Sequence, residues 1–496
     1  MIPAFAGLYV LCAVIGVHAA TLTVTTTADA GAGSLRQAIT DATTNAAANT
    51  VTFNIPTTDP GFDAPQNRFT ITLATPLPSI PLAPFSLSNT QTRAVTIKGN
   101  GTFPVLTFVN SAVVTLDNLT ITNGGGTSGG GIFMGNSSIL NLNNSVVTGN
   151  SVSVDGGGIY MKDSTTAFIS KSTVSGNSAP NGGGGGIYVF ASGTLNIDSS
   201  TVSGNSSGNG GAFYNATSGT INATSNTLNG NFATNFGGAI YNAATISLTN
   251  NTVTSNAALR GGGIYNAFTA TLGNNLVALN SATAGSDLFG GSGLGGTAFT
   301  GTYNLIGKID DSAGLASSPN INGTVAQPLD PVVGPLQNNG GPTFTRALLS
   351  GSPAIDKGNS ATLILDQRNR QRPVDQPFIS NTGNGADIGA FEVQLAPLAS
   401  GVTIGGRVYI TSFRCTAGLA NATVKLSDLS GVTRTVVTER GGNYQFDDVA
   451  PGQIYVLSVN SKTYVFDPRV TSVTDAISDL DFAASAAGRV LKCREN

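Results

Sequence analysis

The stretch 156–188 reads GGGIYMKDSTTAFISKSTVSGNSAPNGGGGGIY, and the pentapeptide that opens it returns at its end. The same unit, a glycine-rich turn followed by an aliphatic-aromatic pair, recurs as GGGIF (129–133), GAFY (211–214), GGAIY (237–241) and GGGIY (261–265). Each unit closes on an asparagine, at Asn150, Asn177, Asn205, Asn231, Asn256 and Asn280, with spacings of 27, 28, 26, 25 and 24 residues. A repeat of that length is a supersecondary unit that buries its apolar side only by stacking on a neighbour.

Inside each unit apolar and polar residues alternate, as in Leu140-Asn141-Leu142, Leu195-Asn196-Ile197 and Ile246-Ser247-Leu248, the period-2 mark of strands with one buried face. Aligning the units stacks Leu142, Ile169, Ile197, Ala223, Leu248 and Leu272, and five residues later Val147, Val174, Val202, Leu228, Val253 and Val277. Two such columns define an interior. The unit therefore reads as one coil of an all-β parallel β-helix, each coil rising by ~4.8 Å, and right-handed because parallel crossovers almost always are. Runs at 69–73, 95–97 and 113–121 read as irregular coils leading in. Ser34 is placed to cap a short amphipathic helix carrying Leu35, Ala38, Ile39 and Ala42, which would cover the open end. The glycines and the closing asparagines suit tight corners, with Asn amides hydrogen-bonding from coil to coil. The Gly291-x-Gly293-x-x-Gly296 pattern lacks the strand-to-helix setting that would make it a nucleotide fingerprint.

The 496 residues carry only 23 basic and 26 acidic side chains, a net charge of −3, against 64 glycines. That balance offers no basic patch for nucleic acid or anionic membrane, and no apolar run after residue 20 reaches the ~18 residues that span a bilayer. Residues 1–19 read as a signal peptide cut after Ala19, so the protein is expected to be secreted or displayed on a bacterial surface. The segment holds the sole histidine, His18, and the chain has no tryptophan. The mature protein then has no Ser-His-Asp triad, no Cys-His pair and no His-ligated zinc. Cys415 and Cys493 remain, either as free thiols or as a disulfide closing a 78-residue loop; in the chain-entropy model such a bridge contributes up to ~4 to 5 kcal/mol.

The GGAIY and Val-Ser-Gly-Asn elements resemble the repeats of polymorphic outer membrane protein adhesins. Thr21 to Ile39 resembles the amino-terminal CSLREAI motif of secreted bacterial β-helix proteins, with Gly33 in place of the Cys and Gln37 in place of the Glu. Residues 303–392 resemble the choice-of-anchor Q domain through Tyr303 to Gly307, Leu336 to Thr343, Gly351 to Asp356 and Asp387 to Glu392. The resemblance implies a secreted surface protein of right-handed β-helix fold and no defined chemistry. Within residues 402–485 seven short runs (404–410, 423–426, 433–438, 444–446, 455–459, 464–466 and 480–482) have the spacing of a β-sandwich. Gly442 to Phe446 followed by Val449 to Gly452 resembles carboxypeptidase-regulatory-like, transthyretin-like modules. The expected order is signal peptide 1–19, capped β-helix 20–300, a choice-of-anchor Q-like region 301–393 that continues and closes the helix, linker 394–401, sandwich 402–485 and tail 486–496.

Polysaccharide lyases and hydrolases of this fold need clustered carboxylates, with Ca²⁺ or a basic residue. The coils from 123 to 280 hold only Asp155, Asp163 and Asp198 among acids, each at a different place in its unit. No catalytic residue, cofactor or metal site is assigned, and Asp310-Asp311 reads as a solvated turn before it reads as a Ca²⁺ ligand pair. The charged run Asp366, Arg368, Arg370, Arg372 and Asp375 reads as an ion-pair network closing the far end, with an acidic-sugar site as the alternative. Alternation places Tyr160, Tyr188, Tyr214, Tyr241 and Tyr265, with Phe133, on an outer face. There they are either packing or a stripe on which sugar rings stack. The expected protein is monomeric and non-enzymatic, acting in adhesion or contact with a polysaccharide, a cell-surface glycan or a protein. A β-helix polysaccharide lyase or hydrolase is the first alternative, and a structural spacer the second.

Overall fold

Alternation of inward apolar and outward polar residues makes each repeat three short strands. In the 159–175 coil these are Ile159–Met161, Thr166–Ser170 and Thr173–Ser175. A computed structural model describes residues 20–44, 49–80, 84–290, 297–377, 379–395, 402–412, 415–428, 432–451, 453–473 and 475–485. Equivalent strands stack in parallel into sheets of eight, eleven and twelve strands, the last begun by an antiparallel hairpin of Phe62–Asp63 with Arg68–Thr72, and run to Leu288–Phe289, Phe299–Thr302 and Ile321–Asn322. The register is the one the repeat dictates: Leu142 pairs Ile169, then Ile197, Ala223, Leu248 and Leu272. Val147 pairs Val174 and the column runs to Val277. Both columns are buried in one continuous core.

Two glycines show why the turn before each tyrosine strand is Gly-rich. Gly156 sits at φ +65°, and a Cβ on Gly158 would lie 2.6 Å from the carbonyl oxygen of Gly186 in the next coil. The corner between second and third strands is also left-handed, at Asn144, Lys171, Ser199, Ser225, Asn250 and Asn274. Closing asparagines form the expected ladder: each Nδ2 from Asn150 to Asn256 donates to the next Oδ1 at 2.9 Å. A second ladder, unanticipated from the sequence, joins Asn226, Asn251, Asn275, Asn304 and Asn320. At the amino end the helix Leu35–Thr44 buries Leu35, Ala38, Ile39 and Ala42. Ser34 Oγ accepts the Gln37 N–H at 3.2 Å.

Residues 303–322 continue the solenoid, but 333–394 do not close its far end. The chain turns back as an arm along the outer side of the twelve-stranded sheet. Thr201 Oγ1 donates to the Phe344 carbonyl, Thr227 Oγ1 to Gln367 Oε1 at 2.6 Å, and the Ala390 N–H to Thr252 Oγ1 at 3.0 Å. Leu348, Ala354, Ile355, Ile388 and Phe391 pack on Leu276 and Leu305. Outward side chains of five successive coils are thereby buried. Of the region expected to close the helix, residues 311–315 lie over the last coil, where the Asp311 carbonyl accepts the Gly290 N–H, the Ala313 carbonyl the Phe299 N–H, and Leu315 joins the core, whereas 333–394 lie along the twelve-stranded sheet.

The chain divides into two compact units, residues 1–394 and 395–496. In the second unit two four-stranded sheets enclose Val408, Val424, Phe446, Leu457 and Phe482. The strand expected at 464–466 lies instead at Arg469–Val473, and Cys415–Gly418 adds a strand the sequence reading lacked. Among the described residues no helix is long and apolar enough to cross a membrane. The signal peptide, the Cys493 half of the possible disulfide, the tail and Gly291 to Gly296 lie outside the described residues.

Candidate functional site

The tyrosines occupy the eight-stranded sheet in strict register, Tyr160 on Tyr188, Tyr214, Tyr241 and Tyr265. Their strand neighbours point into the core, as Ile159 and Met161 do beside Tyr160. The column is outward, but its rings face one another. Centroids from Phe133 through the five tyrosines to Phe289 stand 5.5, 5.3, 4.7, 4.7, 5.4 and 5.0 Å apart. Phe190 and Phe236 flank the column, and a side strand, Ser178–Gly183, brings Gly183 against Tyr188 and Tyr214.

A sugar stacking on an aromatic needs a free ring face. In the tyrosine column the faces are taken by the rings above and below, so each intermediate ring leaves a rim to solvent. Burial pushes the Tyr160 and Tyr214 phenols up to about 12 and raises Tyr188 and Tyr241, with the Asp155 carboxylate adding to the first three. These phenols stay neutral at any physiological pH. Asp155 accepts the Gly183 N–H at 2.8 Å, and burial lifts its carboxyl above the usual range.

Two members of the arginine cluster do not face solvent. Arg372 is fully buried, with Nε on Glu392 Oε2 at 2.7 Å. Arg368 pairs with Asp366 at 2.6 Å and stacks 3.5 Å from the Phe391 ring centroid. Only Arg370 and Asp375 of the cluster are exposed. The guanidiniums are spent holding the arm together, which leaves Arg370 alone for an acidic sugar. Buried beside them, Asp387 has its carboxyl raised by desolvation and by Glu392, while Asp356 is pushed up to about 6, mainly by desolvation. Asp310 and Asp311 each accept a backbone N–H, from Val325 and Gly285, both at 2.5 Å. No group of three or more His, Cys, Asp or Glu stands together as a metal requires, among the described residues.

The eleven-stranded sheet is a face that the arm leaves open. Its central outward rank runs Ser86, Thr115, Asn141, Phe168, Asn196, Asn222, Ser247, Thr271 and Thr300. Thr166, Thr194, Thr220, Thr245 and Thr269 form a parallel rank on one side. From residue 113 to 302 the outward positions of these strands carry no lysine or arginine, and Asp117 and Asp198 are their only acids. Sequence reasoning passed over this surface, although its signal was the same alternation that revealed the core.

Residues 88–282 match the family model described as right handed beta helix region. The solenoid is a right-handed parallel β-helix. Residues 399–485 match the model described as BOS complex subunit NOMO1-like, second beta sandwich domain, so the second unit is similar to that β-sandwich. No curated protein matches the chain, and no solved structure does. The β-helix thus presents three distinct outer surfaces: a self-stacked tyrosine column, a sheet sealed by the arm, and an open neutral sheet.

Proposed function

We propose that this is a secreted or cell-surface protein that acts without catalysis, in adhesion through glycan contact along the outer side of its β-helix. The open eleven-stranded sheet carries the reading. Its hydroxyls and amides repeat once per coil, which suits a ligand that is itself a repeating, uncharged, hydroxyl-rich polymer. Strands held in one register by a continuous core and by amide ladders present those groups with little ordering cost on binding. The acids of the coils do not converge: Asp155 caps Gly183, Asp163 lies 3.5 Å from Lys162, and Asp198 accepts Ser170 Oγ at 3.0 Å on the open sheet.

Size-exclusion chromatography with light scattering, on residues 20–496 mixed with neutral and acidic polysaccharides with and without Ca²⁺, tests the reading. Co-elution with polymer of unchanged mass is expected. Polymer that shortens would replace the reading with a polysaccharide-cleaving enzyme, and absence of both effects would favour a spacer.

A further inference from the structure

The geometry points to Phe168 as the centre of a binding platform for the pyranose rings of a neutral polysaccharide, which rests on the glycan-contact reading above. Phe168 is the one exposed large apolar side chain among the described residues of the eleven-stranded sheet, at 47% exposure. It interrupts a rank that is otherwise polar from Ser86 to Thr300. An isolated surface phenylalanine needs no explanation by itself. Its setting supplies one.

Three neighbouring pairs of the rank bond along the helix axis: Asn222 Nδ2 donates to Asn196 Oδ1 at 3.0 Å, Asn141 Nδ2 to Thr115 Oγ1 at 3.4 Å, and the Thr271 and Thr300 hydroxyls meet at 3.1 Å. Phe168 stands between two of these pairs and can join neither. Asn141 spends its Nδ2 on Thr115 and retains its Oδ1, while Asn196 spends its Oδ1 on Asn222 and retains its Nδ2. The ring is therefore flanked, one coil to either side, by an uncommitted amide acceptor and an uncommitted amide donor. On its own strand Thr166 and Ser170 add hydroxyls, and Ser170 Oγ is oriented by Asp198 Oδ2 at 3.0 Å.

Among the described residues no other ring stacks on Phe168, unlike the tyrosines of the neighbouring sheet. An apolar ring with a hydrogen-bond acceptor on one side and a donor on the other matches a pyranose, whose C–H face is apolar and whose equatorial hydroxyls lie at its rim. The outward sheet positions around it carry no cation, and the charges beside it, Asp198 one coil on and Lys171 at the corner after Ser170, are of opposite sign, so the platform offers no net positive charge to sulfated sugars or uronates. A residue that exposes apolar area within an otherwise polar rank is what a binding surface requires.

Affinity electrophoresis through gels containing dextran, mannan, galactomannan or xyloglucan, with polygalacturonate as acidic control, tests the platform on residues 20–496. The wild type should be retarded by at least one neutral polymer. Phe168→Asn should lose about tenfold or more in affinity, and Phe168→Tyr should keep it. The melting temperature of Phe168→Asn should stay within about 3 °C of wild type or rise, which separates lost binding from lost structure. Neutral-polymer binding undiminished in Phe168→Asn would overturn the platform and leave the glycan reading standing. A wild type that none of the polymers retards would remove both. Retardation by polygalacturonate alone, or self-association abolished by Phe168→Asn without polymer binding, would overturn the platform in favour of an acidic sugar or a second copy of the chain.

Discussion

At Asn280 the ladder of amides meets a carboxylate. Asp287 Oδ1 accepts both the backbone N–H and Nδ2 of Asn280, at 3.0 and 2.9 Å, while Oδ2 is buried without a well-formed hydrogen bond. Burial pushes this carboxyl up to about 6, against the opposing pull of the Asn280 bonds and of the Lys308 charge and backbone N–H. A folded-state value above the ordinary one means that the native protein holds the proton more tightly than the unfolded chain. The stabilisation is complete below about pH 4 and is lost as pH rises through about 6. Asp287→Asn keeps the acceptor and removes the ionisation, so it should raise stability at pH 8 by up to ~3 kcal/mol and change little at pH 4. Melts at the two pH values check this; a variant less stable at pH 8 would show that the ionised carboxylate has a partner of its own. Asn205 is the opposite case. Its amide receives Asn177 and donates to Asn231 and to the Val174 carbonyl. Asn205→Leu strands these buried partners and should cost ~4 kcal/mol in denaturant unfolding.

The arm is held by an element-scale device, buried ion pairs on one side and threonine hydroxyls on the other. Arg372→Leu leaves the Glu392 carboxylate buried without its counter-charge, a loss of ~3–5 kcal/mol that falls on the arm. The expected result is new proteolytic cleavage within 333–394, while far-UV circular dichroism of the solenoid persists; cleavage spread through the coils would mean that arm and coils unfold as one. This element also marks where the sequence stops being readable. The strands were legible because Leu142-type positions repeat at period 2 within a coil and at about 26 residues between coils. The arm was not, because Thr201, Thr227 and Thr252 look solvent-facing, and their covering residues lie over 135 positions away. Tyr464 to Phe466 were misread as a strand for a related reason: Phe466 is buried from a loop, so an aromatic pattern arose without a ladder. At the candidate site, the outward placement of the tyrosines followed from alternation. Their mutual stacking did not, since ring orientation depends on the neighbouring coils and on the side strand at Gly183.

On the scale of the whole molecule, a solenoid whose coils touch mainly their neighbours has a stability that is a sum over coils and interfaces. Removing one whole repeat should therefore leave a folded protein, provided that the cut restores the register. Residues 151–177 meet that condition. Ser151 and Ser178 occupy equivalent bridge positions, and the Asn177 amide stands between those of Asn150 and Asn205. After the deletion Asn150 would donate to Asn205, Leu142 would stack on Ile197 and Val147 on Val202. The arm begins its contacts at Ser199 and would be untouched. The deleted chain should keep the parent's oligomeric state and β-sheet spectrum and melt within about 5 °C of it. The cut also takes out Phe168, so glycan binding should fall while the fold survives. A comparison deletion of 151–172, five residues short of the period, would offset every inward column from its neighbour and should fail to fold. If both deletions folded equally well, the asparagine and aliphatic columns would not be what sets the register of this β-helix.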